Sequence, residues 1–334
     1  MSRYACWLGG DVMIDDPKLW MGLHRRSEGE NAPDVAVIGV PYDGSVSHER
    51  GAAEAPDVLR ELSADAGSWT EDLVSFADLS LRDVGDATID PEDDVVTQDA
   101  IAQIVADIAS DRTVVLALGG DHSITSGVVG GLRDRGPLGV LWFDAHADVM
   151  DSFQGIRGRK LSRWNHACPL RRICELTTVS PENVLVVGAR DFLPDEVRFI
   201  RETELDVVHA RELLDLSPSA LTDRIAAKLD GLERIYISFD IDVLDPAFAP
   251  GTGVPIPGGI TTRYLLDVLR DLTERCRKEA SRAAGFPTVA GFDVVEISPP
   301  VDTHRITALA GRSIISQMLG LVAVQKGIAR DILD

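Results

Sequence analysis

The chain has 334 residues, 45% of them hydrophobic and 26% charged, enough for one large α/β domain or two small ones and ordinary for a globular protein. Its 54 acidic residues against 33 Lys and Arg leave a formal charge of −21, which repels nucleic acid and anionic membranes. That charge suits a cationic substrate or metal ions, although solubility alone would also account for it. Four cysteines are too few for a disulfide framework in a chain this long. No apolar run approaches the roughly 18 residues of a membrane span, and the N-terminal sequence lacks a signal-peptide core, so the cytoplasm is the expected location.

Residues 1–33 carry no pattern and read as an N-terminal extension. Apolar runs rich in Val and Ile follow at 35–40, 113–118, 138–143, 183–187, 235–239 and 289–297. With little polar alternation, they read as strands buried on both faces of a parallel sheet. Helices are predicted between them at 94–110, 123–134, 219–229 and 262–279, and residues 305–333 read as a further helical region with a Gly-containing break. The alternation implies βαβ units in a three-layer α/β/α sandwich with a mainly parallel central sheet. There is no linker, repeat or low-complexity tract, so one domain over residues 1–334 is expected. The longest unpatterned stretches after the extension, about 148–166 and 245–259, are of a length that is usually functional or disordered.

Three of the predicted strands end abruptly in Asp and His. The first runs into GGDHS, with Asp121 and His122; the second into DAHADVMD, with Asp144, His146, Asp148 and Asp151; the third into DIDVLD, with Asp240, Asp242 and Asp245. In an open parallel sheet ligands bind beyond the carboxyl ends of the strands, so the three clusters can share one crevice. Alternate residues of an extended segment point the same way, which aligns Asp144, His146 and Asp148 in one row and Asp240 with Asp242 in another. So many buried carboxylates need a cation. Six candidate ligands (His122, Asp144, His146, Asp148, Asp240 and Asp242) exceed one tetrahedral zinc and suit two hard or borderline ions, with Asp144 and Asp240 as bridges. Taken singly, each motif has a plainer reading: a solvated D-x-D pair, or a turn with Ser123 as a helix N-cap. Cys168 and Cys174 lack a second pair and do not read as a zinc site, and His24, His48, His209 and His304 read as structural or exposed.

These segments resemble the ureohydrolase family of arginases, agmatinases, formimidoylglutamases and guanidinobutyrases, on the agmatinase-like side. GGDHS, DAHAD and SFDIDVLDPAFAPGTG match its three metal motifs nearly letter for letter, GVPYDGSVSHERGAAEAPDVLRE resembles its opening, and GFDVVEISPPVD its late acidic motif. The resemblance implies two Mn²⁺ ions (Ni²⁺ being an alternative), a small guanidino substrate, urea as product, and a homotrimer or homohexamer. By position, His122, Asp144, Asp148 and Asp240 would bind one ion and Asp144, His146, Asp240 and Asp242 the other. Asp148 would also accept a hydrogen bond from the attacking hydroxide, Glu296 would receive the guanidinium, and His166 would protonate the departing amine. His166 is followed by Ala167 and Cys168 where the family usually has Gly. On the residues alone it would pass for a surface histidine in a polar loop, and Glu296 for a core carboxylate paired with an Arg. Met150 and Leu193 stand where arginases have polar groups for the amino-acid end, which disfavours L-arginine. Agmatine is the expected substrate. Guanidinobutyrate, another ω-guanidino acid or free guanidine are the alternatives, the acids because Arg157, Arg159, Lys160 and Arg163 offer cations. Rival readings are a related one-zinc deacetylase and a metal-binding, non-catalytic subunit.

Overall fold

The computed structural model describes residues 20–22, 32–155, 161–279 and 285–331. The central sheet has eight strands: β1 (Val35–Gly39), β2 (Leu81–Asp86), β3 (Val114–Leu118), β4 (Gly139–Phe143), β5 (Val184–Ala189), β6 (Asp206–His209), β7 (Arg234–Asp240) and β8 (Thr288–Val295). Their spatial order is β2-β1-β3-β8-β7-β4-β5-β6, and every adjacent pair is parallel. All six predicted strands are present. The two that the apolar pattern misses, β2 and β6, are the edge strands: LRDVGD buries little, and DVVH is only four residues long.

Nine helices are described: α1 (Ala55–Ser63), α2 (Asp94–Ile108), α3 (Ile124–Gly131), α4 (Pro169–Cys174), α5 (Pro194–Thr203), α6 (Ala210–Leu213), α7 (Pro218–Lys228), α8 (Thr262–Glu279) and α9 (Ile306–Gln325). Strand side chains alternate between two apolar cores. Leu116, Leu118, Leu141 and Phe143 join α1 and α6 to α9 on one face. Val115, Ala117, Val140 and Trp142 join α2 to α5 on the other. This is the expected α/β/α sandwich, with both sheet faces covered, as a parallel sheet requires.

Local chemistry sets the ends. Asp93 caps α2 by accepting from the N–H groups of Val95 and Val96, and Ser217 caps α7 through Ala220 N–H. The helical region expected over 305–333 stops at Gln325, and the left-handed Gly327 (φ 69°) turns the chain to pair Arg330–Asp331 with Val74–Ser75. Against the expectation that no run approaches a membrane span, the segment Thr303–Gln325 is long and apolar enough to cross a bilayer by composition, but 72% of its apolar window is buried inside the protein. A helix apolar all round is what a core position demands. Of the N-terminal extension, Trp20 is described and buried, its main-chain N–H donating to Asp83 at 2.7 Å.

Candidate active site

Strands β3, β8, β7 and β4 are neighbours at the centre of the sheet; Asp240 ends β7, and the segments leaving the carboxyl ends of β3, β8 and β4 carry His122, Glu296 and Asp144. The double glycine after β3 is required by space. A Cβ on Gly120 would sit 1.9 Å from the Tyr42 carbonyl oxygen, and one on Gly119 would sit 2.4 Å from Val295. Without side chains the segment threads between them and delivers His122 inward.

His122 Nδ1 lies 3.1 Å from a carboxylate oxygen of each of Asp144, Asp148 and Asp240. His146 Nδ1 lies 3.1 Å from Asp242 and 3.4 Å from Asp144. Two groups of donor atoms result, His122–Asp144–Asp240 and Asp144–His146–Asp242, with Asp144 common to both. All four carboxylates are buried. The expected row of alternating residues takes a different form. Asp240 ends β7 and caps a 3₁₀ turn over Ile241–Val243, accepting the Asp242 N–H at 2.8 Å, while Asp148 sits at a left-handed φ of 52°. An aspartate at a strand end competes for the next free N–H groups, and this bends the chain out of the extended form. Glu296 is also left-handed, at φ 62°. Strained backbone of this kind in non-glycine residues clusters at functional sites.

Burial alone would lower the His122 pKa, yet the carboxylates of Asp144, Asp148 and Asp240 beside it lift it well above the usual histidine value. His146 is likewise raised well above its usual value, against burial, by the charge of Asp242 and by Asp144. Burial followed by the charge of Asp144 pushes Asp148 up to about 7, while the two imidazoles hold Asp144 below the usual carboxylate range despite its burial. A cation fits here on a separate ground. Nδ1 of His122 is a buried nitrogen with no hydrogen-bond partner. On the other side of the ring, Nε2 meets Ser238 Oγ at 2.8 Å, and that hydroxyl donates to Asp293 at 2.7 Å. Ser238 must therefore accept from Nε2–H, so in the neutral ring the lone pair lies on Nδ1, facing the carboxylates, where a cation would take the place of a proton. Such wiring of the far nitrogen is how metal-binding histidines are oriented.

Several supporting residues escaped the sequence reading. Asp293 also accepts from Thr125 and Tyr236, each at 2.7 Å. Trp142 stacks on the His122 ring (centroids 4.1 Å apart) and donates to Asp144 at 2.9 Å. Arg190 donates to the carbonyls of Gly188, Asp242, Val243, Leu244 and Ile256, tying down the turn that carries Asp242. Polar residues inside apolar strands, Tyr236 and Ser238 in RIYISFD and Asp293 in TVAGFDVV, are the signal that could have found the network.

His166 is mostly buried at the pocket. Its Nδ1 is 3.1 Å from Glu296 Oε1, which also accepts the His122 main-chain N–H at 2.9 Å. Glu296 thus pairs with an imidazole and a backbone donor in place of a core Arg. Burial would raise its pKa, but the His166 contact holds it below the usual range; His166 in turn is raised, against burial, by Glu296. The cavity over these groups, about 210 Å³, is also lined by Phe153, Phe192, Leu193, Val254, Asp191 and Glu196. Arg163 is turned to Asp151 and Glu175, and Arg157, Arg159 and Lys160 lie outside the described residues.

The arginase-family profile matches residues 33–320. The chain belongs to the arginase family. It is 34% identical over 296 residues to the guanidinopropionase of Pseudomonas aeruginosa, covering 87% of each chain. It is 33% identical over 271 residues to the agmatinase of Pyrococcus horikoshii, covering 79% of this chain and 84% of that one. The solved proclavaminate amidinohydrolase of Streptomyces clavuligerus superposes with a TM-score of 0.78 at 31% identity, over 88% of this chain and 93% of that one. This arginase-family chain is a ureohydrolase, an enzyme acting on guanidino compounds. The family's dependence on a binuclear metal centre agrees with the two donor groups that share Asp144. The match leaves no role for the one-zinc deacetylase reading.

Proposed function

We propose that the chain hydrolyses agmatine to putrescine and urea with a pair of Mn²⁺ ions. In this reading His122, Asp144, Asp148 and Asp240 hold one ion, and Asp144, His146, Asp240 and Asp242 the other. Four carboxylates among six ligands favour a hard or borderline ion such as Mn²⁺, with Ni²⁺ as the alternative. Bound there, the ions would supply Lewis-acid activation of a water nucleophile at neutral pH. The chain's own groups do the rest. Glu296 pairs with the guanidinium and fixes its carbon in reach of attack. Asp148 accepts a hydrogen bond from the attacking water. His166 gives the departing amine a proton.

The substrate assignment rests on the wall of the cavity. Beyond Glu296 it carries Asp191 and Glu196 among apolar side chains, and no Lys or Arg among the described residues. A cationic tail is matched there, whereas a carboxylate tail would be left unpaired. Leu193 in that wall likewise offers nothing to the α-amino and carboxylate groups of arginine. A guanidino acid is the second reading, supported by the guanidinopropionase relative and by the sequence cations Arg157, Arg159 and Lys160. The same proposal takes the chain as one cytoplasmic domain that assembles as a homotrimer or homohexamer. Urea release from agmatine, arginine, guanidinobutyrate, guanidinopropionate and guanidine, with Mn²⁺ supplied, tests the substrate. Agmatine is expected to give the highest kcat/KM. Preference for an acid would replace it with the second reading, and release from none would overturn both.

A further inference from the structure

His166 makes a second contact that the reaction above does not use. Its Nε2 lies 2.9 Å from Ser47 Oγ, and the same hydroxyl lies 3.1 Å from Nδ1 of the exposed His48. The loop that carries Ser47 is fixed on both sides. Asp121 accepts from the N–H and hydroxyl of Ser45 at 2.9 and 2.8 Å, and the Asn165 side chain donates to the Ser45 carbonyl at 2.6 Å. Further along, Gly51 at φ 128° donates to Asp43, a conformation that a side chain would strain.

We propose that Ser47 and His48 are positioning residues that act through His166, forming a hydrogen-bonded wire by which its ring exchanges a proton with solvent while substrate fills the pocket. The proposal rests on the hydrolytic reading above. Overall, guanidinium and water give urea and an ammonium ion: a C–O bond forms and the C–N bond to the amine breaks. The attacking water gives up both its protons, one on activation and one as the urea carbonyl forms, and the departing nitrogen gains two on its way to the ammonium ion. If the activation proton is lost to solvent and His166 supplies one of the two that the amine takes, the ring must reload in each cycle, although only 11% of its side chain is exposed.

Hydrogen-bond polarity fits the role. Glu296 Oε1 accepts only, so Nδ1 of His166 carries a hydrogen, and exchange falls to Nε2. With Nε2 bare, Ser47 donates to it and accepts from His48; with Nε2 protonated, both bonds reverse and Ser47 donates to His48. A hydroxyl between two imidazoles supports either direction. The charged groups acting on His166 are Glu296, Asp121 and Asp148, each favouring the protonated ring. His48 faces Ser47, and Arg50 on the same loop is turned to Asp43.

The test compares Ser47→Ala and His48→Gln with wild type in dilute buffer that lacks imidazole. The expected result is a fall in kcat of about tenfold or more with KM changed by less than about twofold, saturable recovery on adding imidazole, and near-normal kcat in Ser47→Thr. Unchanged kcat, or a loss that imidazole does not restore in variants with wild-type metal content and Tm, would overturn the proposal. Ring ¹⁵N resonances of His166 in the Zn²⁺-loaded protein read the wire without turnover. The wire predicts a shift of Nε2 in Ser47→Ala, and no shift overturns it. Absence of urea from wild type with every guanidine is instead a failure of the hydrolytic reading.

Discussion

Two clusters of buried charge lie at opposite places in the sheet, and they are resolved differently. Beside the edge strand β2, Arg60 donates through Nε and Nη2 to Asp83 at 2.9 and 3.0 Å and through Nη1 to Asp86 at 2.5 Å. The guanidinium is held above its usual pKa, against burial, by those two carboxylates. At the central strands, Asp144, Asp148, Asp240 and Asp242 surround two imidazoles and, among the described residues, pair with no guanidinium or ammonium, while His122 Nδ1 makes no aligned hydrogen bond. The first cluster is complete within the chain and serves the fold. The second is complete only with cations, and this marks it as the place of chemistry.

That contrast can be broken by exchanging single charges. Asp144→Asn removes the carboxylate common to both donor groups. It is expected to lower urea release by at least about a thousandfold, the equivalent of several kcal/mol of transition-state stabilisation, and to strip both ions by elemental analysis. Asp83→Asn should do the opposite: metal content and kcat per folded chain stay at wild type, while unfolding in urea shows a loss of about 3 kcal/mol because Arg60 loses its bidentate partner. Ser238→Ala probes the wiring behind His122. Metal affinity measured by titration calorimetry is expected to fall about 10- to 100-fold with little change in fold.

The smallest effect belongs to the surface pair Glu71–Arg263, a control that is neither buried nor catalytic. The hydrogen bond to Arg263 holds Glu71 below the usual carboxylate range, against partial burial. Its contribution is therefore present above the unfolded-state pKa and is lost as pH falls through the depressed one. Being largely exposed, it is worth less than about 1 kcal/mol. The Tm difference between wild type and Glu71→Gln should shrink in acid and in high salt, with activity unaffected.

The legible part of the molecule is the part where chemistry and burial coincide. Strands buried on both faces announced themselves as Val- and Ile-rich runs, and Asp or His at their ends had no structural reason to be there. The edge strands β2 and β6 hide because half-exposed segments carry mixed residues. The short helices α4 and α6 hide because six and four residues show no usable period. Among the site residues, Ser238 and Asp293 show in the sequence only as polar residues inside apolar runs. Their role depends on which strands are neighbours, and β7 meets β8 only after the chain has crossed over through α8. His166 looked like a surface histidine in a polar loop. Its burial and the contact with Glu296, 130 residues away, are long-range facts.

The most direct test is anomalous X-ray diffraction at the manganese edge from crystals grown with MnCl₂. Two peaks sharing Asp144, one beside His122 and one beside His146, are predicted. Peaks elsewhere, or none, would contradict the assignment of this crevice as a two-ion centre.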